Sequence, residues 1–189
     1  MDLIRKYEIS EKYIKIEQIQ NIKETNFDYT FKILLIGDSN VGKSSLILIE
    51  EFMSTIGNEF FFLGYKINNK NVKLQLWDTC GQERYHSLIK NLYKNSVLTI
   101  MFYSICDNNS FDNLGFWLKE IKINSQPNIP VFLIGNKKDI ENERTVKFKK
   151  GKQFFNDYNL QFFMETSAKI GFSSNDYLRK LLCFYIVNY

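Results

Sequence analysis

Cysteine is scarce in this chain and does not pair: Cys80, Cys106 and Cys183 are odd in number and far apart. That spacing offers neither a CxxC metal pair nor a disulfide framework, and it fits a reducing cytosol. Histidine is scarcer still. His86 stands alone, with no nucleophile or metal ligand nearby, and reads as an exposed or partner-facing residue rather than a catalyst. No apolar run approaches the ~20 residues that a membrane-spanning helix needs. The opening Met1-Asp2-Leu3-Ile4-Arg5-Lys6 lacks the apolar stretch of a secretory signal. Charge of one sign is missing too. Basic residues number 25 against 21 acidic ones, and apart from Lys147, Lys149, Lys150 and Lys152 they are scattered. A nucleic-acid binder concentrates them in a stripe, so no nucleic-acid partner is expected. What remains is 189 residues with 44% hydrophobic and 24% charged side chains. That is about one domain, with enough apolar side chain for a core without disulfides or a structural metal.

Residues 1–30 contain no glycine or proline and carry apolar residues irregularly, at Ile4, Tyr7, Ile9, Tyr13, Ile14, Ile16, Ile19 and Ile22. The spacing fits a helical face in part and a strand in part. The stretch is read as an N-terminal arm, with a helix as one candidate state, outside a main domain over residues 31–189. From Phe31 onward, short apolar runs appear at 31–37, 97–103, 131–135 and 161–164, as buried parallel strands read. Segments with helical periodicity lie near 84–93, 110–124, 147–158 and 174–188. Runs at 60–67 and 72–77 flank Asn68-Asn69-Lys70-Asn71 as a hairpin. The alternation implies an α/β fold: a mostly parallel six-stranded sheet with one antiparallel strand and helices on both faces.

Gly37-Asp38-Ser39-Asn40-Val41-Gly42-Lys43-Ser44 matches G-x-x-x-x-G-K-[ST], after an apolar strand and before a helical run. Glycines let the backbone wrap closely around a β-phosphate with its N–H groups pointing inward, and the following helix, entered at Ser45, adds its positive end. Lys43 should reach the β- and γ-phosphates, and the Ser44 hydroxyl should bind Mg²⁺. This is the signature of a P-loop NTPase. It leaves the base and the chemistry open, since several kinases and GTPases share it.

Three further motifs follow, each after a predicted strand. Asp78 ends the hairpin's second strand, where a carboxylate can hold Mg²⁺ through water. In the following Thr79-Cys80-Gly81-Gln82, the Gly81 N–H can meet a γ-phosphate and Gln82 can orient an attacking water. Asn136-Lys137-Lys138-Asp139 places a carboxylate able to accept from both N1–H and the exocyclic amine of guanine. Adenine lacks that donor pair and would leave a buried Asp139 unpaired. Glu165-Thr166-Ser167-Ala168-Lys169 can present a backbone N–H to the guanine O6. Ligands of open α/β sheets bind at these strand ends.

Together these motifs resemble the small GTPases of the Ras superfamily. Within it, Ser54-Thr55-Ile56-Gly57-Asn58-Glu59-Phe60, the run Lys73–Trp77 and residues 82–88 are similar to the Rab family. The likeness implies GTP/GDP and Mg²⁺ as cofactors, with Ser44, Thr55 and Asp78 about the metal and Lys43 and Gln82 as catalytic residues. Thr55 and Gly81 would hold the two switch loops only in the GTP state, an order-to-disorder change read by partners. No arginine finger is evident in the chain, so intrinsic turnover should be slow, on the order of 10⁻⁴ s⁻¹, and an activating protein should complete the site. The likeness further implies an exchange factor, effectors engaging residues 55–60, Trp77 and residues 82–88, a monomer, and a role in vesicle traffic. The alternative is a nucleotide-binding scaffold that no longer cycles.

Two departures from the Rab pattern stand out. Only residues 45–54 separate Ser44 from Thr55, fewer than the family has there. A helix of about six residues (~9 Å) followed by five extended ones (~17 Å) still lets Thr55 reach the metal. The missing piece usually places an aromatic against the base, so weaker nucleotide retention is expected unless Phe52 substitutes. The chain also stops at Asn188-Tyr189 without a prenylation motif, and Cys183 reads as a core-facing helix residue. No direct lipid anchor is therefore expected. A cytoplasmic protein brought to endomembranes by a partner is the expected location. Asn40 replaces a glycine common in the family, and Asn is among the residues least penalised at positive φ. Cys80 replaces a small residue and reads as packing.

Overall fold

The computed structural model describes residues 15–47, 60–79, 91–169 and Tyr185. Within them the chain runs β1 (Ile16–Gln18), β2 (Tyr29–Ile36), α1 (Lys43–Ile47), β3 (Phe60–Ile67), β4 (Lys70–Asp78) and β5 (Ser96–Ser104). It continues as α2 (Asn108–Asp112), α3 (Leu114–Asn124), β6 (Val131–Asn136), a 3-10 segment (Lys138–Glu143), α4 (Phe148–Asp157) and β7 (Phe162–Glu165). The strands form one sheet in the order β1-β3-β4-β2-β5-β6-β7. Strands β4, β2, β5, β6 and β7 run parallel to their neighbours, and β3 joins β4 antiparallel across the two-residue Asn68-Asn69 turn. Asn68 takes a φ of 53°, which asparagine tolerates. Among the described residues no helix is long and apolar enough to cross a membrane.

The central strands read as unbroken apolar runs because both sheet faces are covered. Ile33 and Leu35 pack on one face with Leu74, Ile100, Phe132 and Ile134; Leu34 and Ile36 pack on the other with Met101, Tyr103, Trp117 and Leu133. This is the two-residue period of a pleated strand. Helices α2, α3 and α4 cover the second face through Phe111, Leu118, Ile121 and Phe154. Val41 and the Tyr185 ring pack on the first, Tyr185 edge-on to Phe132 at 5.2 Å.

Among the described residues the sheet has seven strands, not six, and the separation of residues 1–30 as an arm outside the domain fails for the described part of that stretch. Residues 15–30 contain no helix. Ile16, Glu17 and Gln18 pair antiparallel with Ile67, Lys66 and Tyr65. The Ile19 N–H then donates to the Gly64 carbonyl at 2.8 Å, and the Asn68 N–H donates to the Lys15 carbonyl at 2.9 Å. Further along, the Asp28 carboxylate accepts from the Asn71 N–H at 2.8 Å and the Lys70 ammonium at 3.2 Å. Without this strap β3 would be an open edge with unpaired backbone groups. Gly64 makes room for it: a Cβ there would lie 3.2–3.3 Å from Ile19, Ile22 and Phe27. The irregular apolar spacing of the arm is thus that of a wrap over a hairpin.

The helical stretch expected over 110–124 is likewise two helices. Asp107 caps α2, its carboxylate accepting from the Asn109 N–H at 2.9 Å. Asn113 then separates α2 from α3.

Candidate nucleotide site

The site lies where β2, β4, β6 and β7 end, and each strand delivers one piece. β2 runs into the glycine loop, whose conformation leaves no room for side chains at two positions. Gly37 has φ +140°, and a Cβ there would sit 2.4 Å from the Phe102 carbonyl oxygen; Gly42 has φ +91°, and its Cβ would reach within 2.2 Å of the Asn136 Nδ2. Asn40 takes φ 62°, as its side chain permits.

Lys43 is buried, 4% exposed. Its Nζ donates to the carbonyls of Gly37 and Asp38, both at 2.7 Å. These two carbonyls fix the ammonium within the loop. The Ser44 Oγ donates to Asp78 Oδ2. Parallel pairing sets Asp78 opposite Leu35, which brings the carboxylate to the mouth of the loop. Thr79 locks this end of β4, its N–H and Oγ1 donating to the Leu35 carbonyl at 3.4 and 3.1 Å. Two hard oxygens side by side, a hydroxyl and a carboxylate, are the donor set that suits Mg²⁺ held jointly with phosphates.

β6 supplies the other half. Asn136 bridges the two: its Nδ2 donates to the Val41 carbonyl at 2.9 Å, and its Oδ1 accepts from the Ala168 N–H at 3.0 Å. Lys137 turns the chain at φ 71° into the 3-10 segment that carries Asp139. Asp139 Oδ1 accepts from the Ser167 Oγ at 2.6 Å, and that hydroxyl in turn accepts from the Lys169 N–H at 3.1 Å. Arg144 staples the same two loops. Its guanidinium donates to both Glu165 oxygens at 2.8 and 2.7 Å, to both Glu141 oxygens at 2.6 and 2.7 Å, and to the Val146 carbonyl at 2.8 Å. The Glu165 and Glu141 carboxylates push the Arg144 pKa above its already high value, and Arg144 pulls that of Glu141 down. Burial raises the Cys106 thiol, whose Sγ donates to the Ile140 carbonyl at 3.6 Å beside this segment.

Between the two halves lies a cleft of about 850 Å³, bordered by Ser39, Asn40, Gly42, Lys43, Ser44, Ser45, Asn136, Lys137, Asp139, Ala168 and Lys169. The expected binding residues therefore converge, with three qualifications. Val41 is buried in the core and contributes its backbone. Ser167 acts by holding Asp139. The Asp38 side chain turns to Trp117 and Asn113, not to the cleft. Thr55, Gly81 and Gln82 lie outside the described residues, as do Phe52, Cys80, His86 and Cys183. Ile140 borders the cleft without having been singled out from the sequence. The Arg144–Glu165 pair was also missed; only its position one residue before Thr166-Ser167 hints at it.

The Ras family model matches residues 32–183. The chain is 45% identical over 154 residues to Ras-related protein Rab-11B of Dictyostelium discoideum, covering 78% of this chain and 70% of that protein. It is 42% identical over 153 residues to GTP-binding protein ypt3 of Schizosaccharomyces pombe, covering 77% and 71%. With Ras-related protein Rab-3 of Caenorhabditis elegans it shares 39% over 166 residues, 84% of this chain and 75% of the other. The chain belongs to the Ras family, as a Rab-type small GTPase. The matched segment of this Rab-type GTPase begins inside β2, so strand β1 lies outside the family model although it completes the sheet. Trp77, between the hairpin and the switch residues, packs partly buried on the second core face with the Lys32 Nζ 4.6 Å from its ring centroid. Burial lowers the Lys32 pKa. Trp77 stands in register with Phe60 on β3.

Proposed function

We propose that this Rab-type GTPase is a GTP-hydrolysing switch of vesicle traffic that takes GTP or GDP with Mg²⁺ in the cleft between the glycine loop and Asp139. The observation that supports this is the Asn136 bridge, which ties the glycine loop at Val41 to the loop at Ala168. Lys43 offsets charge on the β- and γ-phosphates, and the loop N–H groups from Asp38 to Ser45 cradle them. Asp139 accepts from the guanine N1–H and amine, buttressed by Ser167, with Asn136, Lys137, Ala168 and Lys169 lining the base pocket. Ser44, Asp78 and Thr55 would hold Mg²⁺, which would supply positive charge against the phosphates. Gln82 orients the water for in-line attack, and Thr55 and Gly81 sense the γ-phosphate. Its loss frees both switch segments and ends effector binding through residues 55–60, Trp77 and residues 82–88.

Exchange factors and activating proteins set the cycle. A monomer acting at the cytoplasmic side of endomembranes, brought there by a protein partner, completes the reading; fractionation of a tagged full chain tests the location. Single-turnover phosphate release tests the switch. Slow release from GTP, accelerated by an activating domain and lost in Lys43→Ala, is the expected result. GTP bound without any release, activating domain included, would make the chain a scaffold that does not cycle.

A further inference from the structure

The phosphate loop is anchored on the side away from the cleft. Asp38 offers its carbonyl to Lys43 Nζ at 2.7 Å while its side chain leaves the loop in another direction. There Oδ1 accepts from the Trp117 Nε1–H at 2.6 Å, and Oδ2 accepts from the Asn113 Nδ2 at 2.7 Å. Both donors belong to the helical layer. Asn113 is the residue at which α2 ends and α3 begins, and Trp117 is 3% exposed in the core that α3 makes with the sheet. An indole N–H can only donate, so burial of this ring demands an acceptor. A neutral one would satisfy it; a carboxylate gripped by two donors is stronger and more directional. On its other side Gly37 is pressed against the Phe102 carbonyl of β5, with no room even for a Cβ. Residues 37 and 38 are therefore fixed from two directions, and these are the two residues whose carbonyls seat the Lys43 ammonium.

We propose that Asp38, Asn113 and Trp117 form a clamp that positions the phosphate loop and its lysine, so that the α2–α3 junction sets nucleotide retention. Asp38 is then a positioning residue through its side chain as well as a contact through its backbone. The proposal rests on the nucleotide site described above. Its bland rival is that Asp38 merely satisfies the Trp117 N–H and contributes stability alone.

The two are separated by reversing the hydrogen-bond polarity. Asn113→Asp sets one carboxylate against another, and adding Asp38→Asn restores an amide-to-carboxylate contact while leaving an oxygen for Trp117. The readout is dissociation of a fluorescent GDP analogue from the full chain in Mg²⁺ buffer, well below each variant's melting temperature. Asn113→Asp should speed release about 10-fold or more, and the double variant should return to within about 3-fold of the starting chain. Trp117→Phe keeps an aromatic ring in the core but removes the N–H together with the pyrrole part of the indole, so its melting temperature is read beside its release rate; a roughly 3-fold faster release is expected there, which preserves the test if Asn113→Asp does not fold. Melting temperatures that fall while release stays within 2-fold would overturn the proposal, as would a double variant no better than Asn113→Asp. If the unaltered chain binds no GDP analogue at all, the nucleotide site itself fails, and the clamp with it.

Discussion

Replacing Arg144 with methionine removes a charge while keeping most of the side chain's length, and the structure sets the size of the effect. The Arg144 side chain is 14% exposed and that of Glu165 3%, whereas Glu141 is 60% exposed. Water screens the Glu141 contact, which therefore adds little. The Glu165 contact is bidentate and buried, and stripping one partner from such a pair costs about 3–5 kcal/mol because the other is left as an uncompensated charge. For a chain of this size each kcal/mol moves the melting temperature by roughly 2–4 °C, so a fall of roughly 6–20 °C is expected. The damage should also reach the base pocket. Glu165 immediately precedes Thr166 and Ser167, and Ser167 holds Asp139, so GDP release should quicken several-fold. Arg144→Met/Glu165→Met, which deletes both charges, should recover at least half of the lost stability. Thermal denaturation and GDP release of the starting chain, Arg144→Met, Glu165→Met and the double variant decide it. If Arg144→Met melts within 2 °C of the starting chain, or the double variant loses as much as the two single changes summed, the ion pair is not the staple described here.

Other consequences are as direct. Asp139→Asn presents an amide N–H to the guanine amine, donor against donor, but suits the C2 carbonyl of xanthine; GTP should weaken about 100-fold or more while xanthosine triphosphate gains, measured by competition binding. Removing residues 1–19 reopens the β3 edge and breaks its backbone pairing, for a loss of roughly 2–4 kcal/mol at about 1 kcal/mol per bond; an unchanged melting temperature would show that the strap is idle. The Cys106 thiol, raised by burial, should remain protonated and react slowly with iodoacetamide at neutral pH, gaining rate only in alkali, as peptide mapping by mass spectrometry would record. Chelating Mg²⁺ should speed GDP release, and Ser44→Ala should blunt that response because the metal has already lost a ligand.

The strands at the centre of the sheet were legible because burial on both faces turns β2, β5 and β6 into continuous apolar runs bounded by glycine or polar residues. The loop at 37–44 was legible because its chemistry leaves few alternatives: positive φ at Gly42 and a lysine beside it. What escaped were pairings between distant residues. β1 is three residues long and acquires meaning only opposite Ile67, some fifty positions away. The break at Asn113 makes sense once Asp38, 75 positions earlier, is seen to hold its side chain. Nothing in the local pattern about Arg144 or Glu165 signals that one buried pair joins them. Local pattern reports a residue's own burial; it is silent about which remote partner satisfies a polar group.

Titration calorimetry of GDP against ADP in magnesium buffer tests the central claim most directly. Two hydrogen bonds to the Asp139 carboxylate, each contributing about 1.5–3 kcal/mol, predict that GDP binds at least 100-fold tighter. Equal affinities for the two nucleotides would contradict base recognition by Asp139, and heat from neither would contradict the site.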